Sequence, residues 1–216
     1  MSAPTQQIVE VPAGGHGGVV PTGATVTSPG GTSPPNPPGA TLWFTGLPSS
    51  GKSTIAHALA DRLTGPGHRI QVLDGDDVRQ HLSQGLGYSR EDRDINVCRI
   101  GWVARLLASH GVVVLVPVIA PYADARKAVR DDHAAAGVPF AEIFVSTSLA
   151  VAEARDVKGL YAKARKGELI GLTGVDDPYE RPLAPELAID TARVDLETAV
   201  ERSQALLAAI TERPAR

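Results

Sequence analysis

The stretch that most constrains this chain is Thr41-Leu-Trp-Phe-Thr-Gly-Leu-Pro-Ser-Ser-Gly-Lys-Ser-Thr54. Leu42 to Thr45 is a short apolar run, as a buried strand requires. It leads into Gly46-x-x-x-x-Gly51-Lys52-Ser53, after which Ala56, Leu59, Ala60 and Leu63 recur at helical spacing. Strand, glycine loop and helix in that order define a phosphate-binding loop (P-loop). Gly46 and Gly51 allow a tight turn that brings backbone N–H groups toward an anion, and the new helix adds the positive end of its dipole. Lys52, read as an exposed loop residue, can reach the terminal phosphates. The Ser53 hydroxyl can bind Mg²⁺. The chain is therefore expected to bind a nucleoside triphosphate.

Bulk properties narrow the remaining choices. At 216 residues the chain can build one domain with a sizeable core. Its formal net charge is −3 with no basic block, which disfavours nucleic acid as a main partner. Cys98 is the one cysteine, so an intramolecular disulfide is excluded. The six histidines form no HExxH-type metal pair, and no apolar run reaches the length of a membrane span. These features predict a cytoplasmic protein with no membrane partner.

Residues 1–39 are crowded with Pro, Gly, Ser and Thr and carry one charged residue, Glu10. The absence of a basic segment and of an apolar segment argues against a targeting sequence. A disordered N-terminal tail is expected, because too little apolar surface is available to offset the ordering entropy. Residues 40–216 then form the P-loop domain.

Strands and helices alternate from Thr41 onward. Gly65-Pro-Gly67 marks a turn, Arg69 to Leu73 a second strand, and Val78, Arg79 and Leu82 a short helix. Ser89 with Asp92 predicts the capped start of a long helix that ends near His110. Val112 to Val118 is apolar without alternation, as in a central parallel strand. A helix over Ala123 to Ala136, a strand over Phe140 to Val145 and two short helices (150–155 and 161–166) follow. Gly167 to Pro185 reads as a mobile lid, Leu187 to Ile189 as the last strand, and Leu196 to Ile210 as the closing helix. The fold class is α/β: a P-loop NTPase-like parallel sheet flanked by helices on both faces.

Ligands of such sheets lie beyond the carboxyl ends of the strands, where three polar clusters fall. Asp74-Gly-Asp76-Asp77 with Arg79 follows the second strand; Asp74 and Asp76 can hold Mg²⁺ or contact an attacking hydroxyl, with a helix cap at Asp76 the structural alternative. Arg93 and Asn96 share a face of the long helix at the head of a stripe continuing through Ile100, Val103 and Leu107. Ile95, Cys98, Trp102 and Leu106 form a second stripe, which makes Cys98 a core or interface residue and implies burial on two sides. The third cluster is the lid and its approach, with Arg155 and Lys158 able to close over an anion.

Leu73-Asp-Gly-Asp-Asp-Val-Arg79, Leu86-Gly-Tyr-Ser89, Glu91-Asp-Arg-Asp-Ile-Asn96, Arg155-Asp-Val-Lys-Gly-Leu-Tyr161 and Leu172-Thr-Gly-Val-Asp-Asp-Pro-Tyr-Glu180 occur in that order. With them the chain resembles the adenosine 5′-phosphosulfate kinase (adenylyl-sulfate kinase) family from about Gly39 to the end of the sheet. The resemblance implies transfer of the ATP γ-phosphoryl to the 3′-hydroxyl of adenylyl sulfate, giving PAPS for sulfate assimilation. It also implies a homodimer and a functional link to ATP sulfurylase. Carried over, Gly46, Leu47, Pro48, Ser49, Ser50, Gly51, Lys52, Ser53, Thr54 and Arg155 would hold ATP, with Ser53 and Asp74 on Mg²⁺. Lys52, Asp74 and Asp76 would be catalytic. Asp76, Arg79, Tyr88, Arg93, Asn96, Ile119, Lys158 and Leu172 would bind adenylyl sulfate.

Three departures stand out. Ala120 replaces the serine the family uses in its Ile-Ser-Pro run, so a phosphoserine is impossible there and direct in-line transfer is expected. Leu172 replaces one of two aromatic rings around the substrate adenine, a loss of ~0.5–1.5 kcal/mol by typical ring pairs. Cys98 stands where arginine is common. Two rival readings remain: a P-loop kinase for another small alcohol or nucleotide, and a nucleotide-dependent regulatory protein without turnover.

Overall fold

The computed structural model describes residues 39–64 and 69–212. The expected tail, apart from Gly39, and the Gly65–Gly67 turn lie outside these residues. Five strands make one parallel sheet: β1 (Ala40–Thr45), β2 (Arg69–Val72), β3 (Val112–Pro117), β4 (Phe140–Val145) and β5 (Leu187–Ile189), in the order β2-β3-β1-β4-β5. The connections carry helices α1 (Lys52–Leu63), α2 (Gly75–His81), α3 (Arg90–Ser109), α4 (Ala123–Ala135), α5 (Leu149–Arg155) and α6 (Leu160–Arg165), with α7 (Leu196–Thr211) closing the domain.

β1 is central, and its neighbours β3 and β4 pair with it at Thr41↔Val114 and Thr41↔Phe140. All six of its residues are buried because both faces of the sheet are covered. Successive side chains alternate between the faces. Leu42 and Phe44 meet Ile55 and Leu59 of α1 and Val200 and Leu207 of α7. Trp43 points into the opposite layer with Val97, Ile100 and Ala104 of α3 and Val129 of α4. Each fully buried Leu, Ile, Val or Phe here stabilises the fold by about 1.5–3 kcal/mol.

The long helix α3 corrects two sequence expectations. Its start is as expected: Ser89 accepts from the Asp92 amide at 3.1 Å. Its buried line runs through Arg93, Asn96, Val97, Ile100, Gly101, Ala104 and Ala108, while Val103 and Leu107 are only partly buried. The small residues decide this. A Cβ on Gly101 would meet Val129 Cγ2 at 2.5 Å, so α3 and α4 approach through that glycine. A methyl group from Gly101→Ala would collide with the Val129 side chain, so the packing of α3 on α4 would have to shift. The second stripe is exposed at Ile95, Trp102 and Leu106, and Cys98 is exposed as well, which overturns its core reading. Among the described residues no helix is long and apolar enough to cross a membrane.

Candidate active site

The site is built at the carboxyl ends of β1, β2 and β3. Between β1 and α1 the chain turns through Gly46 (φ 152°) and Gly51 (φ 105°). Gly51 is also the N-cap of α1 and offers no side chain to its first amides, leaving them open to an anion. Lys52 is 8 % exposed, contrary to the exposed position expected of it. Its ammonium curls back to donate to the carbonyls of Gly46 at 2.9 Å and Leu47 at 2.7 Å, the nearest strong acceptors. Burial pushes its pKa down to about 7, an effect opposed by Asp74 and Asp76 and reinforced by Lys158. Triphosphate oxygens here would favour the charged form.

Asp74 caps α2, accepting from the Asp76 amide at 3.1 Å, so the cap lies two residues before the Asp76 expected for it. Its other carboxylate oxygen lies 3.9 Å from His57 Nε2. Asp76 is more exposed and pairs with the Lys158 ammonium. Ser53, Asp74 and Asp76 line one cavity of about 680 Å³. Among the described residues no three His, Cys, Asp or Glu side chains cluster to cage a metal. A hydroxyl, one or two carboxylates and substrate phosphates are instead the hard oxygen donors that suit Mg²⁺, and the residues present fit it.

Arg79, Tyr88, Arg93, Asn96, Ile119, Lys158 and Leu172 line the same cavity. Arg79 stacks on the Tyr88 ring, 4.3 Å from its centroid. Arg93, 7 % exposed, donates to Tyr88 O at 2.8 Å, Thr173 Oγ1 at 2.8 Å and Gly171 O at 2.5 Å, with Asp177 at 3.9 Å. Its charge is thus met mostly by neutral dipoles. Asn96 is oriented by the Ser83 hydroxyl. The Ile119 carbonyl accepts from Thr45 Oγ1 at 2.6 Å. Ala120 holds φ 43°, rare for a residue with a Cβ, and its carbonyl accepts from buried Arg126 at 2.7 Å. Leu172 is buried beside Ala152 and Tyr161 while edging the cavity.

A model of the adenylylsulphate kinase family matches residues 38–190. The chain belongs to the adenylyl-sulfate kinase family. Members of that family are ATP-dependent kinases. The adenylyl-sulfate kinase of Picosynechococcus sp. is 51 % identical over 164 residues, covering 76 % of this chain and 90 % of that protein. The APS kinase of Mycobacterium tuberculosis, solved in complex with AMPPNP and APS, is 47 % identical with a TM-score of 0.75, over 79 % of this chain and 99 % of that one. A gluconokinase from Sinorhizobium meliloti, 24 % identical with a TM-score of 0.55 over 82 % of this chain and 95 % of that one, shares the fold alone.

Against the adenylyl-sulfate kinase expectation, the cavity gathers every proposed site residue except Gly46 and Leu47. Leu47 faces away: its side chain packs with Ala152, Tyr161 and Leu172, and Gly174 approaches it closely. Gly46 serves through its φ and its carbonyl. Arg155 touches the loop at Ser50 O, 3.5 Å away, and donates to Thr191 Oγ1 at 2.7 Å and Thr191 O at 2.9 Å behind it. The expected lid, 167–185, contains no helix and a single isolated bridge, Thr173↔Asp177. Asp176 accepts from the amides of Gly171 and Leu172, and Asp177 from Tyr122. Sequence reasoning missed Thr147 and Thr191. Each lies two residues past the end of a parallel strand, and the strand-end rule could have found them.

Proposed function

We propose that the chain transfers the γ-phosphoryl group of ATP to the 3′-hydroxyl of adenylyl sulfate, forming PAPS, in one direct in-line displacement. The observation that carries this reading is one cavity lined by the loop lysine Lys52 together with three further cations, Arg79, Arg93 and Lys158, in a chain of this family. Such a cavity suits two anionic substrates brought head to head. Phosphoryl transfer passes through a loose transition state and asks mainly for positioning and charge neutralisation.

In this reading the loop amides, Lys52 and Thr54 hold the ATP phosphates, and Arg155 supports the loop. Ser53 and Asp74 hold Mg²⁺, which neutralises phosphate charge when bound. Asp74 is the first choice to contact the acceptor hydroxyl and Asp76 the second. Arg79, Arg93, Asn96 and Lys158 clamp adenylyl sulfate, Tyr88 stacks on its adenine, and Ile119 offers backbone. Segment 167–185 closes as a lid and excludes water. The protein works in the cytoplasm as a homodimer, beside an ATP sulfurylase that supplies its acceptor.

The test is PAPS formation by the purified chain with ATP, Mg²⁺ and adenylyl sulfate, alongside a panel of other alcohols and nucleotides. PAPS as the dominant product is expected. ATP binding with no PAPS, or a faster reaction with another acceptor, would overturn the reading.

A further inference from the structure

An anion-binding loop works only if its N–H groups face the ligand. A trans peptide points its C=O and N–H in opposite directions, so a carbonyl tied down behind the loop turns the next amide toward the front. The carbonyls of Gly46 and Leu47 are taken by Lys52 at 2.9 and 2.7 Å, and that of Gly51 by the Ile55 amide at 3.0 Å. The other two restraints come from far along the chain. Pro48 O accepts from the buried Tyr161 hydroxyl at 3.0 Å. Ser50 O accepts from Thr191 Oγ1 at 2.9 Å and Thr147 Oγ1 at 3.1 Å, with Arg155 Nη1 a longer third donor at 3.5 Å.

The two threonine hydroxyls lie 2.7 Å from each other, so one can relay through the other, and Arg155 donates to Thr191 at 2.7 Å. Thr147 follows β4 and Thr191 follows β5, so the ends of two adjacent strands grip one peptide. The Thr191 methyl lies 3.2 Å from where a Gly51 Cβ would stand, closing the back of the loop. Burial pushes the Tyr161 phenol up to about 12, with Glu153 and Asp156 adding to it, so it keeps the proton it donates.

We infer that Tyr161, Thr147 and Thr191 are positioning residues for the donor phosphates. They hold the carbonyls of Pro48 and Ser50 behind the loop and thereby aim the amides of Ser49 and Gly51 at the triphosphate. None of the three needs to touch the nucleotide phosphates. The inference rests on the loop being the ATP site, as proposed above, and on nothing about the acceptor.

The test compares the full chain with Tyr161→Phe, the double variant Thr147→Val/Thr191→Val, and Thr191→Ser. ATP and ADP dissociation constants are measured by calorimetry, KM values for both substrates by turnover, and folding by thermal denaturation. Tyr161→Phe and the double variant should each weaken ATP binding roughly three- to tenfold, the effect of one or two lost hydrogen bonds. The KM for adenylyl sulfate should stay within about twofold, because the acceptor side keeps its hydrogen bonds. Thr191→Ser keeps the hydroxyl and should bind ATP as the parent does. Unchanged ATP affinity in both loss variants would overturn the inference. So would an equal loss for both substrates with a lowered melting temperature, which would make the three residues packing elements only. Calorimetry with ATP needs no turnover, so a failure of the adenylyl-sulfate reading would leave this comparison decisive.

Discussion

Arg93 Nη2 donates to the carbonyl of Gly171 at 2.5 Å, joining residues 78 positions apart. The same guanidinium holds Thr173 and Tyr88 O, so one side chain on α3 ties the 85–89 loop to segment 167–185. An arginine engaged mainly by neutral acceptors keeps charge to offer an anion, and moving it also moves the segment.

Arg93→Ala should therefore raise the KM for adenylyl sulfate by about ten- to a hundredfold, the range for a lost charged hydrogen bond. ATP affinity should change little. Hydrogen exchange in residues 169–177 should quicken, because their anchor is gone. Equal effects on both substrates would show that Arg93 does not belong to the acceptor side.

Ala120 offers no nucleophile, and Arg126 and Thr45 fix the turn around it. One displacement inverts configuration at a chirally labelled γ-phosphorus, and a two-step relay retains it. Inversion is the expected outcome. Ala120→Ser should leave PAPS formation largely unchanged. Activity confined to Ala120→Ser would defeat the direct mechanism.

His133 is fully buried, with Nδ1 2.8 Å from Val129 O and Nε2 3.0 Å from Thr41 Oγ1. Burial lowers its pKa; Val129 O and Asp132 oppose the shift, and Arg105 adds to it. As pH falls through about 6.5 the unfolded chain takes up a proton the native chain resists, so stability falls. The loss levels off below the lowered native value. Melting temperatures at pH 7.5 and 5.5 should drop more for the parent than for His133→Gln, which cannot titrate. Equal drops would assign the acid sensitivity to other groups.

Trp102 is 54 % exposed on α3, in line with Ile95 and Leu106. If this face joins the proposed homodimer, Trp102→Glu removes an apolar side chain worth about 1.5–3 kcal/mol when buried and inserts a charge. Sedimentation should show two subunits for the parent and one for the variant. Two subunits in both would move the interface elsewhere.

What local sequence determined here was the frame. The unbroken apolar runs of β1 and β3 required a sheet covered on both faces, and the glycines of the loop required a turn into a helix. Arg93 and Asn96 were placed at the sheet's mouth by helical period alone. Tertiary structure decided what those patterns leave open. On α3 the period allowed either the larger Val103 and Leu107 or the smaller Gly101, Ala104 and Ala108 to face inward; the small residues won because they let α4 come close. Lys52 found its acceptors only once the loop had curved around it. Thr191 meets the Ser50 carbonyl across 141 residues because β1, β4 and β5 are adjacent in the sheet. Periodicity reports which way a side chain points relative to its own element. The partner it meets depends on the order of the strands, which is settled by packing the whole chain.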